Sequence, residues 1–398
     1  MNTQLTIEER NAVLISMAKL IAKKKEEILK ANQVDLEQYS GEDLAMKDRL
    51  KVDEAKIRGM VQSLEHLASQ DDPLGVELFS FQHENNMKVY NRTAAFGTVM
   101  IIYESRPDVT VEAAGIAFKS GNKILLKGGK EALHSNLAIV ELWHRALEEN
   151  QVPTDWVEYL QFNREETRAF LKNPTVPVDL IVPRGGERLI QFVKENSSAQ
   201  VIVSGRGNNF VYVDKEADAQ TALDIILNGK TGKISACNAI DKVLVHAQMK
   251  GKEEFLEKLQ EVLSAHNVEI SADPSLQHLS RSKPVENEDQ WYEEFLDYKV
   301  LVSEVEDLEK AIEKINKYSG GHSASIVSKD DQAAEHFMEN VDNAAVYHNA
   351  STRFTDGGQL GLGGELAIST DKLHQRGPIG LQHLVTNKWF IYGNGQTR

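Results

Sequence analysis

Short apolar segments alternate with helical segments along the middle of this chain, and this alternation constrains its fold more than any other feature. Gly97–Tyr103, Lys123–Lys127 and Val178–Pro183 are apolar runs of strand length. The stretches at about 109–119 and 131–149 between them carry apolar residues at helical spacing. Strands that read as continuous apolar runs and are separated by helices are typical of a parallel sheet. We therefore predict an α/β protein.

A second series of the same kind begins near residue 210. Phe210–Asp214, Lys242–His246 and Lys299–Ser303 have the pattern of strands, and Ser323–Ser328 follows them. A helix is predicted over Leu308–Lys317, because a glycine pair follows it as a normal stop. The second half of the chain is therefore also expected to be α/β.

Two terminal regions have other patterns. Thr6 and Glu9 fit a capping box, which predicts a charged amphipathic helix over about residues 7–31. The segment at about 76–90 alternates polar and apolar residues on both sides of a polar turn, which indicates a hairpin, and Asn387–Tyr392 is a final strand.

The composition excludes several classes of protein. Of the 398 residues, 41% are hydrophobic, which is too many for a disordered chain, and the single cysteine cannot form an internal disulfide. The net charge of −15 argues against nucleic acid as a partner. The apolar runs are shorter than the roughly 20 residues of a membrane span, and no basic, apolar signal peptide opens the chain. We expect a soluble, cytoplasmic protein.

The familiar nucleotide-binding motifs are missing, but other positions remain candidates. Neither the G-x-G-x-x-G fingerprint nor a Walker A loop is present. Gly185 and Gly186 follow a strand and open a helix, where backbone N–H groups either approach a pyrophosphate or simply form a tight turn. Lys127 and Lys130 follow another strand and are either a ribose phosphate site or solvated lysines.

Cys237 is either a packed core residue or a nucleophile. Lys230 and Lys233 are near it in sequence and favour a thiolate, and its small, polar neighbours suit a catalytic loop. Arg106 and Arg353 lie beside predicted turns, where a guanidinium binds an anionic substrate or forms a structural salt bridge. No histidine or cysteine cluster has the spacing of a metal site, so no metal is expected.

Several strings, in order along nearly the whole chain, resemble the γ-glutamyl phosphate reductase family of the aldehyde dehydrogenase superfamily. This series is more specific than any single motif. The strings are Tyr103–Thr110, Lys119–Asn122, Gly128–Ala132, Asp179–Gly186, Cys237–Ala239, Leu244–His246, Gly321–Ser323, Asn349–Gly357 and Leu373–Pro378.

The resemblance implies an aldehyde dehydrogenase-like α/β fold with three parts. A Rossmann-type cofactor domain that lacks the usual fingerprint is expected over residues 1–73 and 94–212, and an α/β catalytic domain over 213–383. Residues 74–93 and 384–398 are expected to form a β oligomerisation arm, which implies a homo-oligomer.

The implied reaction is the NADPH-dependent reduction of L-glutamate 5-phosphate to L-glutamate 5-semialdehyde with release of phosphate, the second step of proline biosynthesis. A functional link to glutamate 5-kinase, which acts upstream, is therefore expected. Oxidising members of the superfamily carry a glutamate base ahead of the cysteine, whereas residues 203–211 here contain no acid, which favours reduction. An aldehyde dehydrogenase that oxidises another semialdehyde and an inactive scaffold remain the alternatives.

The resemblance also implies residue roles. Cys237 is the expected nucleophile, and Asn238 or Ser105 is expected to stabilise the oxyanion. Contacts to the cofactor are expected from Lys127, Lys130, Gly185 and Gly186, and contacts to the substrate from Arg106, Asn349, Ser351, Thr352 and Arg353. The chain departs from the family's usual residues at Asp108, Lys127, Asn209, Phe210 and Gly232–Ile234.

Overall fold

The computed structural model describes residues 4–41, 44–372 and 375–398. Leu373 and His374, which begin the last family string, lie outside the described residues. The chain divides into two compact units. Unit 1 comprises Met1–Val203, Leu362–Ala367 and Ile379–Arg398, and unit 2 comprises Ser204–Gly361 and Ile368–Pro378.

Unit 1 begins with helices. The capping box predicted at Thr6 and Glu9 is present and starts α1 (Ile7–Lys23). The single helix predicted over about residues 7–31 is wrong, because Lys24 leaves the helical conformation (φ −106°, ψ 20°) and separates α1 from α2 (Lys25–Gln38). Two further helices follow, α3 (Leu44–Leu50) and α4 (Glu54–Ser69).

The predicted hairpin is part of an antiparallel sheet in unit 1. β1 (Glu77–Gln82) pairs with β2 (Lys88–Ala95), and the last strand of the chain, β17 (Val385–Tyr392), pairs with the other edge of β2. We call β1, β2 and β17 the arm. Its apolar side chains are 45–58% exposed at Leu78, Phe79, Phe81, Trp389, Ile391 and Tyr392.

The main sheet of unit 1 is parallel and has the strand order β5-β4-β3-β6-β7. Its order reverses between β3 and β6, and open α/β sheets bind ligands outside the carboxyl ends of the strands at such a point. The strands are β3 (Thr98–Tyr103), β4 (Lys123–Lys127), β5 (Val157–Tyr159), β6 (Leu180–Arg184) and β7 (Gln200–Val201). The helices of this region are α5 (Val109–Lys119), α6 (Leu133–Glu149), α7 (Arg164–Lys172) and α8 (Glu187–Asn196).

β3 shows why the strands read as continuous apolar runs. Val99 and Ile101 pack into one core cluster, while Met100 and Ile102 pack into another on the opposite side of the sheet. Both faces of the strand are therefore buried, as expected for a parallel sheet with helices on both sides.

Unit 2 contains a second parallel sheet, with the order β11-β10-β12-β9-β8-β13-β14. Its strands are β8 (Asn209–Val213), β9 (Ile240–His246), β10 (Glu269–Ala272), β11 (Ser282–Pro284), β12 (Lys299–Val305), β13 (Ser323–Val327) and β14 (Ala345–His348). Its helices are α9 (Ala219–Thr231), α10 (Lys252–Ala265), α11 (Asp289–Tyr292), α12 (Leu308–Tyr318) and α13 (Asp331–Asn340). Two short strands, β15 (Ala367–Ser369) and β16 (Gly377–Ile379), pair with each other.

Across residues 4–41, 44–372 and 375–398, no helix is both long enough and apolar enough to cross a membrane.

Candidate active site

Cys237 lies in unit 2, in the turn between α9 and β9. Cys237 forms no disulfide and is partly exposed, so it is not the packed core cysteine of the alternative interpretation. Backbone hydrogen bonds close the turn: the Ala236 N–H donates to the Lys233 carbonyl (3.2 Å) and the Ala239 N–H to the Ala236 carbonyl (3.0 Å). We call residues 232–239 the cysteine turn.

Asn209, the first residue of β8, and Gly207, two residues before it, fix the backbone of the cysteine turn. The Asn209 amide nitrogen lies 2.7 Å from the carbonyl oxygen of Cys237 and 2.6 Å from that of Ala239. A Cβ on Gly207 would lie 2.0 Å from the Cys237 carbonyl oxygen, so only glycine fits there. Sequence reasoning missed both roles and treated Asn209 only as a departure. The available signal was an asparagine at the first position of a buried strand.

The segment after β14 also reaches the cysteine turn. The Asn238 amide nitrogen lies 3.2 Å and 3.0 Å from the carbonyl oxygens of Arg353 and Thr355. Thr352 Oγ1 donates to the Asn238 carbonyl (2.8 Å), and the Arg353 guanidinium donates to Asn238 Oδ1. The structure therefore brings Thr352 and Arg353 to the turn. Because both N–H groups of the Asn238 amide meet carbonyls, its contacts favour positioning of the turn over oxyanion stabilisation.

Asn349 is not brought to the cysteine turn. It follows the carboxyl end of β14, and its side-chain amide exchanges hydrogen bonds of 3.0 and 2.9 Å with the backbone of Ser328. Cys237 precedes β9, and β9 runs parallel to β14. Cys237 therefore lies at the amino ends of the strands, and Asn349 lies at their carboxyl ends. Ser351 is buried, and its hydroxyl accepts the Arg353 N–H at 3.3 Å.

Lys230 pairs with a carboxylate, whereas its position in the sequence suggested that it favours a thiolate at Cys237. Its ammonium group is fully buried and forms an ion pair with Asp241 at 2.8 Å, together with a hydrogen bond of 3.0 Å to the Ile240 carbonyl. The charge of Lys230 therefore balances a buried carboxylate at the start of β9. Of the two lysines that precede Cys237, Lys233 is the one that is exposed on the cysteine turn.

The candidates in unit 1 gather at the carboxyl ends of β3, β4 and β6. Ser105 follows β3 with a positive φ of 21°, and its N–H and hydroxyl donate to Glu131 Oε1 at 2.8 and 3.0 Å. Arg106 donates to Asp108 at 2.9 Å. Sequence reasoning missed Glu131 and Asp108 as partners, because both contacts depend on how the strand ends are packed.

Lys127, Gly185 and Gly186 lie at the same edge of the sheet. The Gly186 N–H, at the start of α8, donates to a carboxylate oxygen of Glu104 at 2.8 Å, and no side chain caps this helix. The Glu104 carboxylate therefore occupies the Gly186 N–H, at the helix N-terminus where the resemblance implies a cofactor phosphate. Lys127 is half-buried at the end of β4, and burial lowers the pKa of its ammonium group although Glu131 opposes the shift. Lys130 is exposed nearby.

Metal binding receives no support from the structure. Over the described ranges, His, Cys, Asp and Glu side chains form no group of three or more that could hold a metal ion.

Comparison with known proteins identifies the family of this chain. The sequence model of the aldehyde dehydrogenase family matches residues 2–294 and 299–389. The chain belongs to the aldehyde dehydrogenase family. Members of this family use a nicotinamide cofactor.

Relatives within the aldehyde dehydrogenase family narrow the assignment. A gamma-glutamyl phosphate reductase of Streptococcus suis is 43% identical over 395 residues, which cover 99% of this chain and 95% of the relative. A second, from Clostridium perfringens, is 42% identical over 392 residues, covering 98% and 94%. The resemblance inferred from the sequence strings is confirmed.

Solved structures agree with this assignment. The crystal structure of a gamma-glutamyl phosphate reductase from Thermotoga maritima superposes with a TM-score of 0.93 at 38% identity, covering 99% of this chain and 95% of that one. An engineered glycolyl-CoA reductase with bound NADP+ has a TM-score of 0.69 at 17% identity, covering 98% and 92%, which shows the shared fold alone. The aldehyde dehydrogenase-like α/β fold predicted from sequence is confirmed.

Proposed function

We propose that the chain reduces L-glutamate 5-phosphate to L-glutamate 5-semialdehyde and releases phosphate, through a thioester on Cys237. The observation that carries this proposal is the match to gamma-glutamyl phosphate reductases over 98–99% of the chain, with the only cysteine partly exposed on a fixed turn. This reaction is the second step of proline biosynthesis.

The residues of unit 2 supply the nucleophile and hold it in place. The Cys237 thiolate attacks the acyl carbon and expels phosphate, which leaves a thioester on the sulfur. Asn209 and Gly207 fix the backbone of the turn, so the thiolate approaches the carbonyl from a constant position. Arg353, tied to the turn through Asn238, is our candidate for binding an anionic group of the substrate, with Thr352 beside it.

The residues of unit 1 bind and orient the cofactor, for which we propose NADPH. At the start of α8, a cofactor phosphate takes the place of the Glu104 carboxylate on the backbone of Gly185 and Gly186, and Lys127 and Lys130 supply positive charge for the ribose phosphate. When bound, reduced nicotinamide supplies the hydride that converts the thioester to the aldehyde. Measuring the binding of NADPH and NADH separately tests this preference.

The hydrogen bonds of the cysteine turn favour reduction over oxidation. An oxidising enzyme needs a base that activates water against the thioester. The side chains bonded to the turn are amides, a hydroxyl and a guanidinium. Asp241, the next acid along the chain after Cys237, is buried against Lys230 and also accepts the Phe295 N–H at 2.9 Å, so its oxygens are engaged.

The reverse reaction tests the proposed function. With glutamate 5-semialdehyde, NADP+ and phosphate, the wild type should form NADPH, and Cys237→Ala should lose a factor of about 1,000 or more in kcat. The variant should keep its NADPH affinity and its thermal unfolding temperature, which shows that only the nucleophile is missing. Turnover without phosphate would support the oxidising alternative, and an active alanine variant would exclude the thioester.

The remaining parts of the proposal concern assembly and location. We propose a homo-oligomer that forms through the arm, because its apolar face is exposed to an extent that monomers rarely tolerate. We also propose that residues 1–73 and 94–212 serve the cofactor, that 213–383 serve catalysis, and that the protein acts in the cytoplasm. Because acyl phosphates are labile, a functional link to glutamate 5-kinase follows from the proposed substrate.

A further inference from the structure

The side chain of Arg353 lies across the cysteine turn of unit 2. Its guanidinium donates to Asn238 Oδ1 at one end of the turn, and its Nε lies 3.7 Å from the position that a Cβ on Gly232 would take at the other end. The residue is only partly buried, and a guanidinium offers five N–H groups in a planar fork. Arg353 is therefore held against the residue that follows the nucleophile while most of its donors remain available to a ligand.

Lys233 places a second cation on the same turn. The Ala236 N–H donates to the Lys233 carbonyl at 3.2 Å, which closes a four-residue turn and keeps the Cα atoms of these two residues within about 7 Å of each other. Ala236 directly precedes Cys237, and Lys233 directly follows Gly232, beside which the Arg353 Nε lies. The turn that carries the nucleophile thus also carries two cations.

Neither of these cations is neutralised by an acid. Over residues 4–41, 44–372 and 375–398, no ion pair joins Arg353 or Lys233 to a carboxylate, although the chain has 60 acidic residues against 45 basic ones. Lys230, three residues before Lys233, is by contrast paired with Asp241. Uncompensated positive charge beside a nucleophile in an acidic protein is the arrangement expected around an anionic ligand.

The two anionic groups of the proposed substrate differ in their distance from the carbon that Cys237 attacks. The phosphoryl group is joined to that carbon through one oxygen, whereas the α-carboxylate is at the other end of a five-carbon chain. Arg353 and Lys233 lie on the turn that carries the attacking sulfur. A phosphoryl group, which carries more negative charge than a carboxylate and offers more acceptor oxygens, also matches a fork and an ammonium group better.

We propose that Arg353 and Lys233 bind the phosphoryl group of the acyl phosphate and stabilise phosphate as it leaves. After the bond from Cys237 Sγ to the acyl carbon forms, the bond from that carbon to the phosphoryl oxygen breaks, and its electron pair leaves with phosphate. The guanidinium and the ammonium group stabilise this charge where it develops. The inference rests on the proposed function and deepens it, because it assigns Arg353 to one anionic group of the substrate and gives Lys233 a role in binding.

The reverse reaction measures the binding of phosphate and of the aldehyde separately. With glutamate 5-semialdehyde and NADP+ saturating, Arg353→Gln should raise the KM for phosphate about 10- to 100-fold, because it removes a charge-assisted hydrogen bond. The KM for the aldehyde should change less than about twofold. Arg353→Lys keeps the charge but loses the planar fork and should lie between the wild type and Arg353→Gln. Lys233→Met should raise the KM for phosphate about 3- to 10-fold.

Alkylation of Cys237 by iodoacetamide tests the same site without turnover. Inorganic phosphate should slow the alkylation of the wild type, and half-protection of Arg353→Gln should require about ten times more phosphate. Glutarate, which carries two carboxylates and no phosphoryl group, is the comparison probe, and any protection that it gives should not depend on Arg353. Arg281→Gln removes an exposed arginine of the same unit and should behave as the wild type in both measurements.

The outcomes separate this inference from the proposed function. If the wild type oxidises the aldehyde equally well without phosphate, the proposed function fails. If the wild type needs phosphate but Arg353→Gln and Lys233→Met raise the KM for the aldehyde instead, or weaken protection by glutarate, the cations bind the substrate carboxylate and the inference is overturned. It is also overturned if both variants lower kcat alone or leave both KM values unchanged.

Folding of the variants is checked by their thermal unfolding temperatures. Arg353 bonds to the cysteine turn, so Arg353→Gln alone could act through the fold. Lys233 is exposed, and Lys233→Met should unfold at the wild-type temperature, which keeps the inference testable if Arg353→Gln is unstable. A rise in the KM for phosphate in Lys233→Met, with weaker protection of Cys237 by phosphate, supports the inference.

Discussion

Gly207 is the residue whose identity the backbone dictates most strictly. Because its absent Cβ would fall 2.0 Å from the Cys237 carbonyl oxygen, Gly207→Ala must displace the cysteine turn. We expect kcat/KM to fall at least about tenfold and the alkylation rate of the thiol to change. Gly59→Ala, on helix α4 with nothing within 4 Å of its added Cβ, is the control and should leave both quantities unchanged. Equal behaviour of the two variants would contradict the close contact.

The role of a single residue can be predicted from the sequence when the groups that it contacts are close to it in the chain. Cys237 was recognisable because it is the only cysteine of the chain and has small neighbours, and it is indeed partly exposed. Lys230 was misread because its partner, Asp241, comes from the next strand and pairs with it only in the folded sheet. The resemblance implies substrate contacts from both Asn349 and Arg353, yet the chain between them runs from one end of the strands toward the other.

At the scale of elements, the cysteine turn depends on hydrogen bonds from a single side chain of β8. Asn209→Asp keeps the size of that side chain but replaces its amide donors with a carboxylate that faces the carbonyls of Cys237 and Ala239. We expect a loss of about 1–3 kcal/mol in the free energy of unfolding, measured by urea denaturation. The pH dependence of iodoacetamide alkylation should shift as well, and an unshifted profile would mean that Asn209 does not position the thiol.

The apolar runs in the sequence predict most strands of the parallel sheets, and the strands that they do not predict have physical causes. β3 and β4 were predictable because both of their faces are buried, which removes polar residues from the run. β10 (Glu269–Ala272) and β11 (Ser282–Pro284) were not predicted, since they are short and carry serine, lysine or glutamate, and parallel pairing alone makes them strands. Lys24 breaks the first helix although its neighbours continue a helical pattern.

At the scale of the whole molecule, composition and alternation led to the α/β class, but the role of the arm depends on surfaces that sequence alone does not display. Phe79 contacts Phe81 and Trp389, with ring centroids 5.6 and 6.1 Å apart, and all three remain about half exposed. The alternation of polar and apolar residues predicted the strands of the arm. This pattern also implies that one face of each strand is buried in a core, and the arm alone has no such core.

Charging this aromatic cluster tests whether another copy of the chain covers it. The wild type should run in size-exclusion chromatography with light scattering at a multiple of the chain mass. Phe79→Lys with Trp389→Lys should shift it to the mass of one chain at micromolar concentration, because burying two ammonium groups in an apolar interface is strongly unfavourable. Lys388→Ser, an exposed change beside Trp389 whose side chain points to the other face of β17, should leave the assembly intact. A wild type of single-chain mass, or a double variant that still assembles, would show that the arm serves another purpose.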